Sequence, residues 1–189
     1  MRQSVFDFDY FTFRLINQEL HHPYVDSLMI FLRNPYFWSP VYLFIIAYLI
    51  LQHKKNAFKI IGLTLLTFII TDFVSTQIFK AYIERPRPCW DWSAPTSARM
   101  LIACSNSFSF VSSHAANHFG LSTVLFIAFK KLNSQRYFSL YLWAALVCYA
   151  QVYVGAHYPT DVMGGALLGT ITGFMVSRLF TSYETATQS

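Results

Sequence analysis

Ile60–Phe79 reads IIGLTLLTFIITDFVSTQIF, twenty residues in which Asp72 is the single charge. A helix needs about 20 largely apolar residues to cross the hydrocarbon of a bilayer. In lipid every backbone N–H and C=O must be bonded internally, which a lone segment achieves as a helix. The stretch is therefore expected to span a membrane. Four others resemble it: Pro35–Gln52, Tyr137–Ala156 and Val162–Ser177 carry no charge, and Ala115–Phe129 holds His118 but no Asp, Glu, Lys or Arg. The Ala115 and Val162 stretches are slightly short by themselves, and their polar flanks are expected to complete the crossing.

Composition agrees. Of 189 residues 54% are hydrophobic and 12% charged, against about 25% charged in soluble domains. Nineteen Phe and twelve Tyr provide ample material for interfacial belts. The net charge of +5 could suit nucleic acid on a soluble protein. Here the basic residues sit between apolar stretches, so membrane topology accounts for them and no nucleic-acid partner is expected.

Residues 4–33 differ in pattern. Phe8, Phe11 and Leu15 recur at helical spacing among Asp7, Asp9 and Arg14, and Val25, Leu28, Met29 and Leu32 repeat the arrangement. The spacing predicts two short helices lying at the interface; the alternative is one further crossing. The same charges interrupt any apolar leader core, so no cleavable signal is expected. The tail from Thr181 is polar and expected to fray. The expected fold is all-α, a polytopic membrane helical bundle of about five transmembrane helices, or six by the alternative. It forms a single domain with N-terminal interfacial helices over 1–34, a transmembrane core over 35–180 and a polar tail over 181–189.

Lys54, Lys55, Lys59, Lys130, Lys131, Arg136 and Arg178 fall on one side of such a bundle, and Arg2, Arg14, Arg33, Lys80, Arg85, Arg87 and Arg99 on the other. The positive-inside count is a tie. It is broken by Lys80, Arg85, Arg87 and Arg99, which share one polar loop where chemistry can explain them. Loop 80–113 and the turn around His157 are separated by two spans and so emerge together. That face gathers Lys80, Arg85, Arg87, Arg99, Ser112, Ser113, His114, His118, Gln151, His157 and Asp161. Cations, three His and a carboxylate at a membrane surface suit work on an anion, and phosphoryl transfer uses those groups. Ser112 and Ser113 precede an apolar run and are expected to open a helix, whose N-terminus offers free N–H groups to an anion. Pro159 suits the first position of the last helix and Asp161 its first turn.

Three ordered motifs make the resemblance specific. Lys80, six residues and Arg87-Pro88 match the first signature of the type 2 phosphatidic acid phosphatase superfamily. Ser112-Ser113-His114 resembles its second, usually Pro-Ser-Gly-His. His157, three residues and Asp161 match the end of its third, usually Ser-Arg, five residues, His, three residues, Asp. The likeness covers roughly residues 36–180. Val111 stands where Pro is usual, Ser113 where Gly is usual, and Ala150-Gln151 replaces Ser-Arg. The last change removes a guanidinium fork, leaving the phosphate site one cation short.

The resemblance implies an integral membrane lipid phosphatase. His157 would be the nucleophile, Asp161 would orient it, and His114 would be the acid and then the base. Lys80, Arg87, Ser112, Ser113 and Gln151 would hold the phosphoryl oxygens, and no metal or other cofactor is called for. Arg85 is expected to supply the missing charge, with Arg99 in reserve. The partners implied are the bilayer and a lipid phosphate or pyrophosphate. The implied location is a bacterial inner membrane with the site facing the periplasm or exterior. Phosphotransfer to another alcohol and non-catalytic lipid binding are the competing readings. His118, on the same helical face as His114, is expected to support rather than react, and Asp72 to be paired structurally. Cys89 and Cys104 share the long loop, so an oxidising compartment would join them.

Overall fold

The structure, a computed structural model, describes residues 2–92 and 98–186. Every regular element among them is helical. The chain opens with α1 (Arg2–Arg14), prolonged by a π-helical turn over Leu15–Glu19, and α2 (Pro23–Arg33). A 3-10 turn over Pro35–Trp38 leads into α3 (Ser39–His53), which a single residue, Lys54 at φ 40°, reverses into α4 (Lys55–Phe73). A π-helical segment over Val74–Phe79 and one further turn, α5 (Lys80–Ile83), continue α4 without a break. After the long loop come α6 (Ser113–Asn133), α7 (Ser139–Tyr153) and α8 (Pro159–Ala186). Helix α8 thus runs past Thr181, where a frayed tail is expected; residues 187–189 lie outside the described part.

Pro35–His53, Lys55–Ile83 and Pro159–Leu179 are long and apolar enough to cross a membrane, and Ser139–Tyr153 is a shorter apolar helix. Helix α6 is the axis of the bundle and packs on α4, α7 and α8. The closest approach is to α8, whose Gly165, Gly169 and Gly173 meet α6 backbone. A Cβ on Gly169 would lie 2.1 Å from the Ala116 carbonyl oxygen, and one on Gly165 2.3 Å from that of Ser112. Small residues at four-residue spacing let two helix backbones touch where apolar burial alone gives little drive, as in lipid. Helices α3 and α4 turn Leu43, Phe44, Leu51, Phe58, Leu65 and Ile69 outward, an apolar coat suited to acyl chains.

Away from the long loop, Leu49, Ile60, Val124, Leu125 and Phe129 close the core. At the loop end, α1 and α2 dock on the bundle as two helical pieces. Met29 packs with Ala150, Tyr153, Val154 and Ala156. Asn17 Nδ2 donates to the carbonyls of Tyr153 (2.7 Å) and Arg99 (2.9 Å), while its Oδ1 accepts from Arg99 N (2.8 Å). This fully buried amide ties the N-terminal segment to both α7 and the long loop.

Candidate active site

A polar cavity of about 270 Å³ opens where the long loop, α2 and the ends of α5, α6 and α7 meet. Lys80, Arg87, Ser113, His114, Gln151 and His157 line it, with Arg33, Ser105 and Ser107. Each arrives for a local reason. Lys80 is brought by the turn that follows the π-helical segment, whose wider winding re-aims the residues after it. Ser113 and His114 are the first two residues of α6, capped by Ser112 Oγ accepting from Ala115 N at 3.5 Å. Ahead of them lies only the first intrahelical bond, Ala116 N to Ser112 O at 3.0 Å, so their own N–H groups precede the ladder. His157 stands in the turn between α7 and α8, next to Gly155 at φ 85°. A Cβ on Gly155 would lie 2.8 Å from the Arg99 carbonyl oxygen, so this turn needs glycine twice over.

His157 is buried and held on both ring nitrogens. Its Nδ1 lies 3.3 Å from Ser109 Oγ and 3.7 Å from Asp161 Oδ2. Ser109 Oγ donates to Asp161 Oδ2 at 2.5 Å, so the serine bridges the pair. Nε2 is 3.5 Å from Arg87 Nη1, a donor, which leaves Nε2 as the nitrogen with the lone pair. Burial pushes the imidazole down to about 4, against the pull of Asp161 and with help from Arg87 and Lys80. His157 is therefore neutral near pH 7. Arg87 is fixed by donating to Ser107 O (2.7 Å), Ser107 Oγ (2.9 Å) and Ala156 O (2.9 Å).

A second, apolar groove of about 540 Å³ runs between α3, α4 and α6, lined by Leu49, Ile61, Leu65, Phe68, Leu121 and Leu125 among others. Ser113 and His114 belong to both spaces. His118 faces the groove with Nε2 3.1 Å from Tyr42 Oη and Nδ1 2.8 Å from His114 O. Asp72 lies in the same wall and accepts from Asn117 Nδ2 at 3.5 Å.

The PAP2 superfamily profile matches residues 57–184, a stretch that contains all three motifs. The chain belongs to the PAP2 superfamily. Lipid A 4'-phosphatase of Bacteroides thetaiotaomicron is 31% identical over 82% of this chain and 70% of its own length. Undecaprenyl-diphosphatase of Sulfolobus acidocaldarius is 31% identical over 86% and 74%. The crystal structure of Aquifex aeolicus LpxE matches with a TM-score of 0.67 at 26% identity, over 90% of this chain and 95% of that one. The PAP2-type phosphatidylglycerolphosphate phosphatase of Bacillus subtilis matches with a TM-score of 0.71 at 25% identity, over 95% and 86%. Named relatives of this kind make the chain a PAP2 phosphatase and a membrane protein.

Within this PAP2 site the structure departs from the sequence expectation at three residues. Ser112 does not line the cavity; it is buried as the α6 cap, and its N–H donates to Asp161 O at 2.9 Å. Arg85, expected to make up the charge missing at Gln151, points behind His157 instead. It donates to Asp161 Oδ1 (2.8 Å), Asp9 Oδ2 (2.6 Å) and Thr160 Oγ1 (2.8 Å), and lies 4.3 Å above the Tyr158 ring. Burial opposes its charge, yet Asp161 and Asp9 hold it above its ordinary range. Arg99, the reserve, pairs with Asp26 on α2. Two carboxylates that are wholly buried are the physical reason: they draw Arg85 inward.

Three residues of the site escape sequence reasoning. Ser109 sits in a run with Ser105, Ser107, Ser112 and Ser113, and nothing in that run singles it out. Asp9 and Arg33 belong to the N-terminal helices, whose docking only tertiary contacts reveal. Cys89 and Cys104 are joined, with Cα atoms 6.2 Å apart, and both line the polar cavity.

Proposed function

We propose that this PAP2 phosphatase removes phosphate from a membrane lipid, monoester or pyrophosphate, by way of a phosphohistidine on His157. The observation that carries the proposal is the meeting of a cationic cavity and an apolar groove at Ser113 and His114. A lipid whose phosphate enters the cavity and whose chain lies in the groove has its scissile P–O bond beside His114.

The neutral Nε2 of His157 attacks phosphorus while His114, which burial and the nearby cations hold down at about 3 until a phosphate dianion enters beside it, gives the proton it has then taken up to the leaving lipid oxygen. The P–O bond breaks, the lipid alcohol departs and a P–N bond remains; from a pyrophosphate the leaving group is the lipid monophosphate. Water then attacks phosphorus, His114 takes its proton, and the P–N bond breaks to release inorganic phosphate and neutral His157. The Nδ1 proton points to Ser109 and, through it, to Asp161, which fixes the tautomer and stabilises the positive ring that forms. Lys80, Arg87 and the first N–H groups of α6 face the equatorial oxygens, where charge develops. The site lies on the periplasmic or outer face of the membrane in this proposal. The loop disulfide supports that orientation, since such bridges persist in oxidising compartments.

Names among the relatives point to a lipid A phosphate as the first substrate to try. The test is phosphate release in detergent from lipid A, phosphatidylglycerophosphate and undecaprenyl diphosphate, with His157→Ala as control. A radiolabelled substrate should leave a phosphoenzyme stable to base and labile to acid. Full activity in His157→Ala, or no release from any of the panel, refutes the proposal.

A further inference from the structure

We propose that Arg33, the last residue of α2, is the cation that binds phosphate in place of the guanidinium lost at Gln151; the inference rests on the phosphatase site proposed above. Arg33 and Gln151 line the same cavity, together with Lys80, Arg87, His114 and His157. Gln151 is wholly buried, and both ends of its amide are without a hydrogen-bond partner. Arg33 Nε is likewise buried without one. Buried polar atoms left unpaired are costly, and native proteins keep few of them. Unpaired donors from two elements in one cationic cavity mark a place made for an acceptor. A phosphoryl group brings three oxygens and the negative charge.

Two other arginines near the site are already paired with carboxylates, Arg85 with Asp9 and Asp161 and Arg99 with Asp26. Arg87 is already assigned to the phosphate in the site proposed above, so it does not replace the lost charge. Among the described residues no carboxylate stands at ion-pair distance from Arg33, and burial alone pulls its guanidinium down from the usual range. Gln151 fits this arrangement because a neutral amide relieves the like-charge crowding that a guanidinium there would add. It also offers an N–H to the anion.

Helix α2 is held firmly enough to deliver the charge. Asp26 accepts from Tyr153 Oη at 2.8 Å and pairs with Arg99, and His22 N donates to Tyr153 Oη at 3.0 Å. Trp38 Nε1 donates to Leu32 O at 2.7 Å just beside Arg33. Arg99, which is not among the residues lining the cavity, thus positions the helix that carries Arg33.

The experiment uses the full chain in detergent, with orthovanadate as the phosphate probe and lipid phosphate as substrate. Arg33→Gln keeps length and polarity, Arg33→Lys keeps charge, and Arg33→Ala with Gln151→Arg moves the guanidinium back to α7. Arg33→Gln should lower kcat/KM by about tenfold to a hundredfold and raise the vanadate inhibition constant in parallel. Arg33→Lys should retain part of both, and the double variant should recover part of both relative to Arg33→Ala. Each variant is checked for an unchanged unfolding temperature. Arg33→Gln within threefold of wild type, or a loss of turnover with unaltered vanadate inhibition, overturns the proposal. His157→Ala run alongside separates this failure from failure of the phosphatase site, since only the latter leaves that variant active.

Discussion

Replacing Arg85 by Met tests whether this cation supports the site from behind or touches phosphate. Its side chain is 13% exposed, and the guanidinium lies between Asp9 and Asp161, each with a wholly buried side chain. The substitution leaves two buried carboxylates facing one another's field without a counter-charge. Removing one partner of a buried ion pair costs about 3–5 kcal/mol, because the remaining charge stays buried and uncompensated. For a chain of this size each kcal/mol moves the unfolding midpoint by about 2–4 °C, so a drop of roughly 6–20 °C follows. The assay is thermal unfolding in one detergent at one scan rate, combined with Asp9→Asn in a double-mutant cycle. Asp9→Asn should recover a good part of the loss in the Arg85→Met background, since it removes one stranded charge. Turnover should fall as His157 loses its oriented carboxylate, and Gln151→Arg should not restore it. An Arg85→Met protein of near-normal stability whose turnover is rescued by Gln151→Arg would return Arg85 to the phosphate and refute this reasoning.

The remaining predictions concern the nucleophile, the loop and the helix seam. Burial holds His157 at about 4, so its ring should stay neutral and nucleophilic down to about pH 5 and protonate only below that. NMR of histidine-labelled protein, assigned with His157→Gln, checks this directly, and a midpoint near 6.5 would contradict it. In unreduced native protein Cys89 and Cys104 should resist alkylation. Cys89→Ser should cost about 3 kcal/mol by the chain-entropy account of a bridge spanning 15 residues. Free thiols at both positions, titrated by mass shift, would count against it. Gly169→Ala should destabilise by about 1–3 kcal/mol as overpacking, since its Cβ would sit 2.1 Å from the Ala116 carbonyl oxygen; an unchanged unfolding midpoint would show that the α6–α8 seam is looser than described.

The sequence by itself determined the helical membrane bundle, because lipid forces each apolar stretch to satisfy its own backbone and so makes length and charge readable. It also placed His114, His157, Lys80 and Arg87 on one face. Asp161 follows His157 by four residues, the others stand at the ends of spans, and two crossings return the chain to the same side. Tertiary structure alone decided the charges. Arg85 and Arg87 are two residues apart in the loop, yet one lines the cavity and the other turns to Asp9, some 76 positions earlier in the chain. Arg33 enters the cavity because α2 is pinned to Tyr153 and Arg99, contacts that no local periodicity encodes. Local geometry fixes residues that share a helix turn. The partner of a buried charge is set by which distant carboxylate or cavity the folded chain brings within reach, since a buried charge must be compensated wherever it lies.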